Sequence, residues 1–169
     1  MVSHIRTMFH TQEKRGMRLT SPIKCGRDDA WLGEGYYFWD DLNDAKQWGN
    51  KSKRKTGAFE IYRSEIDIEN FLDTVFNEDH YRFWVRQIEK AAKVIQLKTR
   101  TKPTIKEINE YFKEKALWDE VDGILFQDLP INENLSKVKS FYYRKRIQAV
   151  VYNVEKIINF VFHFEGKCN

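Results

Sequence analysis

Few residues in this chain have side chains suited to chemistry. There are four histidines, His4, His10, His80 and His163, and two cysteines, Cys25 and Cys168. No two histidines stand at helix-ligand spacing beside a carboxylate, and the cysteines lie far apart, so no metal site is expected. Cys25 would need a paired base to act as a nucleophile, and it reads as a structural thiol. The run Gly33-Glu34-Gly35-Tyr36-Tyr37-Phe38-Trp39 is more informative. Its glycines let backbone approach a ligand closely, and its aromatics offer flat faces on which a heteroaromatic ring can stack. The plainer reading is a glycine turn entering an aromatic strand, in which alternation points two of the four aromatics inward. Gln148 sits in the apolar run Ile147 to Tyr152. A buried amide there needs hydrogen-bond partners, because leaving it unpaired is costly.

The elements that must position these residues follow from pattern. At 169 residues one domain is expected, residues 1–169, with no repeat or linker to divide it. Hydrophobic content of 41% argues against disorder. Charged content of 32% exceeds the roughly 25% of an average chain, so the surface is densely charged. No apolar run approaches the roughly 20 residues that a spanning helix needs, and Met1 to Gly16 has no apolar leader core. A soluble, cytoplasmic domain without a membrane partner is the expectation.

Ile5 to His10 reads as a strand, and Asn43 to Gly49 as a short helix capped by Asn43 and stopped by Gly49. Ala58 to Ile68 alternates as a half-buried strand. Tyr81, Trp84, Val85, Ile88, Ala92 and Ile95 make one apolar helical stripe within Asn77 to Arg100. Asn77 is the cap there, and Phe76 with Tyr81 a staple. Thr104 and Glu107 form a capping-box pattern after Pro103, with Ile105, Ile108, Tyr111, Phe112 and Leu117 as the buried stripe. Val121 to Phe126, Ile147 to Tyr152 and Phe160 to Phe164 read as strands. Strands with two helices grouped mid-chain make an α+β pattern rather than a βαβ alternation.

Gly33 to Asp40, followed by Ala45 and Trp48, resembles the second motif of the ADP-ribosyltransferase superfamily. The branch is the one with a His–Tyr–Glu triad, which includes poly-ADP-ribose polymerases and diphtheria-like toxins. Met8-Phe9-His10-Thr11 is similar to its first motif, a strand ending in the histidine. Asp122-Gly123-Ile124 resembles an element before the last motif, and Ile147 to Ile157 resembles the third-motif strand and the turn after it. These elements occur in the family's order and span most of the chain.

The resemblance implies a split β-sandwich with two helices inserted mid-chain, and NAD bound as substrate in a cleft between two packed sheets. His10 would hold a ribose hydroxyl. Tyr37 would stack on nicotinamide. Backbone near His10 and Thr11, with Gly35 and Tyr36 on the motif strand, would complete the cofactor site. Gln148 would contact the 2′-hydroxyl of the nicotinamide ribose. The chain departs from the family in having Gln148 for the glutamate and Thr11 where polymerase-like members often have glycine. Glu120, Asp122 and Glu155 are the nearby acids, ranked below Gln148 because none lies on the strand itself.

The implied activity is mono-ADP-ribosyl transfer to a macromolecule, protein or nucleic acid. The implied setting is a bacterial toxin, effector or defence factor with an antitoxin or immunity partner. A non-catalytic NAD-, ADP-ribose- or nucleic-acid-binding module of the same fold is the alternative. A third reading, nucleic-acid binding without NAD, rests on the basic stretches Lys51 to Lys55, Lys93 to Lys106 and Lys137 to Arg146. Such stretches are more often solvated surface.

Overall fold

The computed structural model describes residues 4–28, 30–52, 55–128 and 145–169. The fold is α+β. Its strands are β1 (Ile5–Glu13), β2 (Tyr36–Trp39), β3 (Ala58–Asp67), β4 (Phe71–Asp73), β5 (Gly123–Asp128), β6 (Arg146–Val151) and β7 (Ile157–Lys167). Its helices are α1 (Leu42–Ser52), α2 (Glu78–Thr99) and α3 (Ile105–Glu114).

All seven strands join one hydrogen-bonded sheet in the order β4-β5-β6-β2-β1-β3-β7, where two packed sheets were expected. The halves are unequal in how they are stitched. Within one half, β1 pairs with β3 over nine aligned residues, Ile5↔Asp67 to Glu13↔Phe59. Within the other, β6 pairs with β2 from Tyr36↔Val151 to Trp39↔Gln148, and with β5 from Gly123↔Val151 to Asp128↔Arg146. Among the described residues the halves are joined as neighbouring strands only at β1 and β2, and that seam has a single aligned pair, Phe9↔Trp39.

Local chemistry explains most elements. Asn77 caps α2, its side chain accepting from the N–H groups of Asp79 and His80. The capping box of α3 is complete between Thr104 and Glu107. Phe160, Phe162 and Phe164 turn inward along β7 while Val161 and His163 stay exposed.

Four expectations change. Asp41 caps α1, accepting from the N–H groups of Asn43 at 2.7 Å and Asp44 at 3.2 Å. Gly49 lies inside α1 rather than after it, at a place where a Cβ would run into the Phe59 ring. Phe76 and Tyr81 are both exposed, with Phe76 under the cations of Arg6 and Lys145. Leu117 is exposed beyond the end of α3.

The core has three parts. One packs Leu32, Ile124, Phe126 and Val150 against α2 and α3, through Ala91, Ile108 and Phe112. A second joins Met8, Phe38, Ile66, Phe71, Ala149 and Val151 on the opposite face. A third packs α1 on the seam, through Trp39, Ala45, Phe59 and Ile61.

Candidate active site

The seam between the half-sheets is where the chain opens. A cavity of about 360 Å³ lies there. Its walls come from β1 (His10, Thr11, Gln12), β2 (Tyr37, Trp39), α1 (Trp48), β5 (Asp128) and β6 (Gln148). Trp31 and the stretch Ile23 to Arg27, from the connector between β1 and β2, close it. His10, Tyr37 and Gln148, far apart in sequence and on separate strands, thus all contribute to the wall of one space.

Each is held by identifiable contacts. His10 is 4% exposed, and its Nδ1 lies 2.9 Å from the backbone carbonyl of Tyr37 across the seam. A carbonyl only accepts, so Nδ1 carries the proton, and in the neutral ring Nε2 is the acceptor nitrogen. The His10 ring also packs against Phe38 and Phe160, at centroid distances of 5.3 Å and 5.9 Å. Tyr37 donates its hydroxyl to the carbonyl of Gly33 at 2.8 Å and meets Phe126 edge-on. That bond requires the turn at Gly33, whose φ of +82° suits glycine. Gln148 is 8% exposed and aligned with both Trp39 and Phe126.

Thr11 donates its hydroxyl to the carbonyl of Ala45 at 3.0 Å, so it ties α1 to β1. Gly35 and Tyr36 do not line the cavity. Gly35 bridges to Cys25 through two backbone hydrogen bonds and presses on β6, where a Cβ would come 2.5 Å from Val150 Cγ2. Tyr36 packs with the core cluster on the opposite face, as alternation from Tyr37 demands.

The connector is pinned from several sides. The Leu19 N–H donates to the Tyr62 hydroxyl, Tyr152 donates its hydroxyl to the Leu32 carbonyl, and Lys113 Nζ donates to the Glu34 carbonyl. Burial, then the nearby Tyr37, pushes the Tyr152 hydroxyl well above the ordinary phenol range. Burial, then Lys24, pulls the Lys113 ammonium below its ordinary value.

Beneath the cavity lies a charge network that pattern reasoning missed. Arg146 is fully buried, with Nε 3.5 Å from Asp44 Oδ1 and Nη1 3.4 Å from Asp128 Oδ2. Its guanidinium lies 4.5 Å from the Trp39 ring centroid. In sequence Arg146 looked like the end of a basic surface stretch, but it is an interior cation. The rest of that stretch, to residue 144, and residues 53–54 of the first one lie outside the described residues. Lys93, Lys98, Arg100 and Lys102 are exposed.

Trp31 and Arg27 were also missed, because they come from a connector without periodicity. Asp122 stands away from the cavity, bonded to Asn70, Asn153 and Lys156, and Glu120 and Glu155 are exposed. Among the described residues no group of three or more His, Cys, Asp or Glu is placed to hold a metal ion. No helix among them is long and apolar enough to cross a membrane.

Comparison with protein-family models, with curated proteins and with solved structures gives no match to this chain.

Proposed function

We propose that this chain is an NAD-dependent mono-ADP-ribosyltransferase that modifies a macromolecular acceptor, a protein or a nucleic acid. The observation that carries the reading is the convergence of His10, Tyr37 and Gln148 on one cavity at the seam of the sheet. On this reading the weakly joined half-sheets are the split β-sandwich of that fold. The cavity's size falls within the ordinary range for small-ligand sites, roughly 300–1,000 Å³, and its aromatic lining suits a nicotinamide ring.

The chain's residues would act as follows. His10, with its Nδ1 fixed on the Tyr37 carbonyl, positions the ribose of NAD from the β1 wall. Tyr37 offers its ring to nicotinamide while its hydroxyl stays committed to Gly33. The Gln148 amide orients the 2′-hydroxyl of the nicotinamide ribose. The bond between C1′ and the nicotinamide nitrogen breaks, and its electron pair leaves with nicotinamide. The acceptor's lone pair then closes on C1′, and the acceptor's proton is released. Positive charge builds on the ribose, so catalysis rests on geometry and on stabilising that charge.

A bacterial toxin, effector or defence factor acting in the cytoplasm, controlled by an antitoxin or immunity partner, is the setting this activity suits. The second reading, a binding module of the same fold without turnover, is favoured by one feature. Gln148 brings an amide where the triad's glutamate would bring charge.

Incubation with labelled NAD and a cell lysate tests the proposal. Label transferred to a macromolecule, or free nicotinamide, is the expected result. Absence of both, together with no NAD-induced rise in melting temperature, refutes it. NAD binding without turnover, which Gln148→Glu converts to turnover, establishes the second reading.

A further inference from the structure

Gln148 leaves the proposed site without a charge on the third-motif strand. We infer that Asp128 supplies it: this carboxylate, on β5, stabilises the positive ribose and takes the acceptor's proton. The inference rests on the NAD reading above and adds to it a residue that no motif contains.

Three observations carry it. First, Asp128 and Gln148 line the same cavity, and Asp128 is the one carboxylate among its described lining residues. Second, the strand register places them together. Asp128 is aligned with Arg146 and Phe126 with Gln148, so Asp128 and Gln148 are diagonal neighbours across the β5–β6 ladder. Diagonal pairs lie roughly 7–8 Å apart at the backbone, within reach of one bound group.

Third, Asp128 is built in. Its Oδ2 faces Arg146, which is fully buried and held from the other side by Asp44, itself 1% exposed. Asp44, Arg146 and Asp128 form one charge network, and its Asp128 end lines the cavity. The cations Lys24 and Arg27 lie in the connector wall. A ligand with phosphates and a carbon that turns positive would meet both signs: phosphates toward Lys24 and Arg27, C1′ toward Asp128.

The step balances without another reagent. The C1′–N bond breaks with its electron pair leaving on nicotinamide. The acceptor's lone pair forms the new bond to C1′, and its proton passes to the Asp128 carboxylate and then to water.

The test measures nicotinamide release from NAD by the full chain, with melting curves to verify folding. Asp128→Asn is expected to lower kcat by at least about 100-fold, the range for losing one preorganised electrostatic group, with KM for NAD nearly unchanged. Asp128→Ala is expected to regain release when formate is added. Adding Gln148→Glu to Asp128→Asn is expected to restore turnover by returning a carboxylate one strand over. If Asp128→Asn melts too low to assay, Asp128→Glu is used and is expected to keep most of the turnover. Turnover by Asp128→Asn equal to the unsubstituted chain, with Gln148→Ala inactive, overturns the inference and leaves the NAD reading standing. An unsubstituted chain that neither binds nor cleaves NAD overturns both.

Discussion

Two carboxylates are buried, Asp44 on α1 and Glu60 on β3, and they are used differently. On the β5–β6 side, Asp44 and Asp128 share the fully buried Arg146, and one of those carboxylates reaches the cavity. On the β1–β3 side, Glu60 is buried beside the Tyr62 hydroxyl, which donates to it at 2.5 Å and accepts the Leu19 N–H at 2.9 Å. The first network buries Arg146 and Asp44, and its partly exposed end, Asp128, lines the cavity. The second pins the connector that closes the cavity, and the stack of Tyr62 on Phe160, 4.6 Å between centroids, covers it. A buried charge that stands beside a cavity is therefore a stronger pointer to chemistry here than one that fastens backbone.

The comparison can be broken most directly at Arg146. Arg146→Met keeps much of the volume but leaves Asp44 and Asp128 without their shared cation. A loss of about 3–5 kcal/mol is expected, as for other buried pairs that lose one partner. Urea unfolding measures it, and a loss under 1 kcal/mol would show that the network is well hydrated.

On the other side, Tyr62→Phe leaves Glu60 and the Leu19 N–H without that hydroxyl. About 1–3 kcal/mol is expected. The same substitution sharpens the comparison through pH. Burial, then the bond to Glu60, pushes the Tyr62 hydroxyl up to about 12. The folded chain therefore holds a proton that the unfolded chain releases from about pH 10 upward, so this contribution to stability is full below about pH 10 and is lost as pH rises through the folded value. Tyr62→Phe is expected to flatten the alkaline fall in stability, leaving the share due to Tyr152. An unchanged alkaline slope would place Tyr62 in contact with water.

The smallest effect is expected at Asp67, at the end of β3. Its carboxyl is held below the ordinary value chiefly by the hydrogen bond from Lys156, then by the backbone N–H of Glu69. A depressed value in the fold means stability that is present above the unfolded value, about 4, and lost as pH falls through the folded one. Asp67→Asn is expected to cost at most about 1 kcal/mol at neutral pH, as for partly exposed pairs. The difference from the unsubstituted chain closes on acidification. A difference that persists at low pH would assign the effect to packing.

Much of the fold could be read from the sequence because its elements carry their own signals. The alternation of Phe160, Phe162 and Phe164, the Asn77 cap and the Thr104–Glu107 box are all local. Four features needed the third dimension. The strand Phe71–Asp73 has only three residues and exists through its parallel pairing with β5. Gly49 looks like a helix stop until the Phe59 ring is seen against it. Arg146 looks like surface charge until its two carboxylates close around it. Asp128 lies outside every motif and gains meaning only from the register that sets it diagonal to Gln148. The histidine, tyrosine and glutamine were visible through a motif resemblance. Trp31 and Arg27 beside them were not, since cavity walls drawn from connectors have no period, and Asp128, at the end of β5, belongs to no motif.

The central claim is that the seam cavity holds NAD and cleaves it. Nicotinamide release from NAD by the unsubstituted chain, assayed beside His10→Ala and Gln148→Ala, tests it most directly. Release by the unsubstituted chain and a loss of about 100-fold or more in both variants, the scale of removing a positioned catalytic contact, is the expected result. Equal release by all three proteins, or none by any of them with no NAD-induced rise in melting temperature, would contradict it.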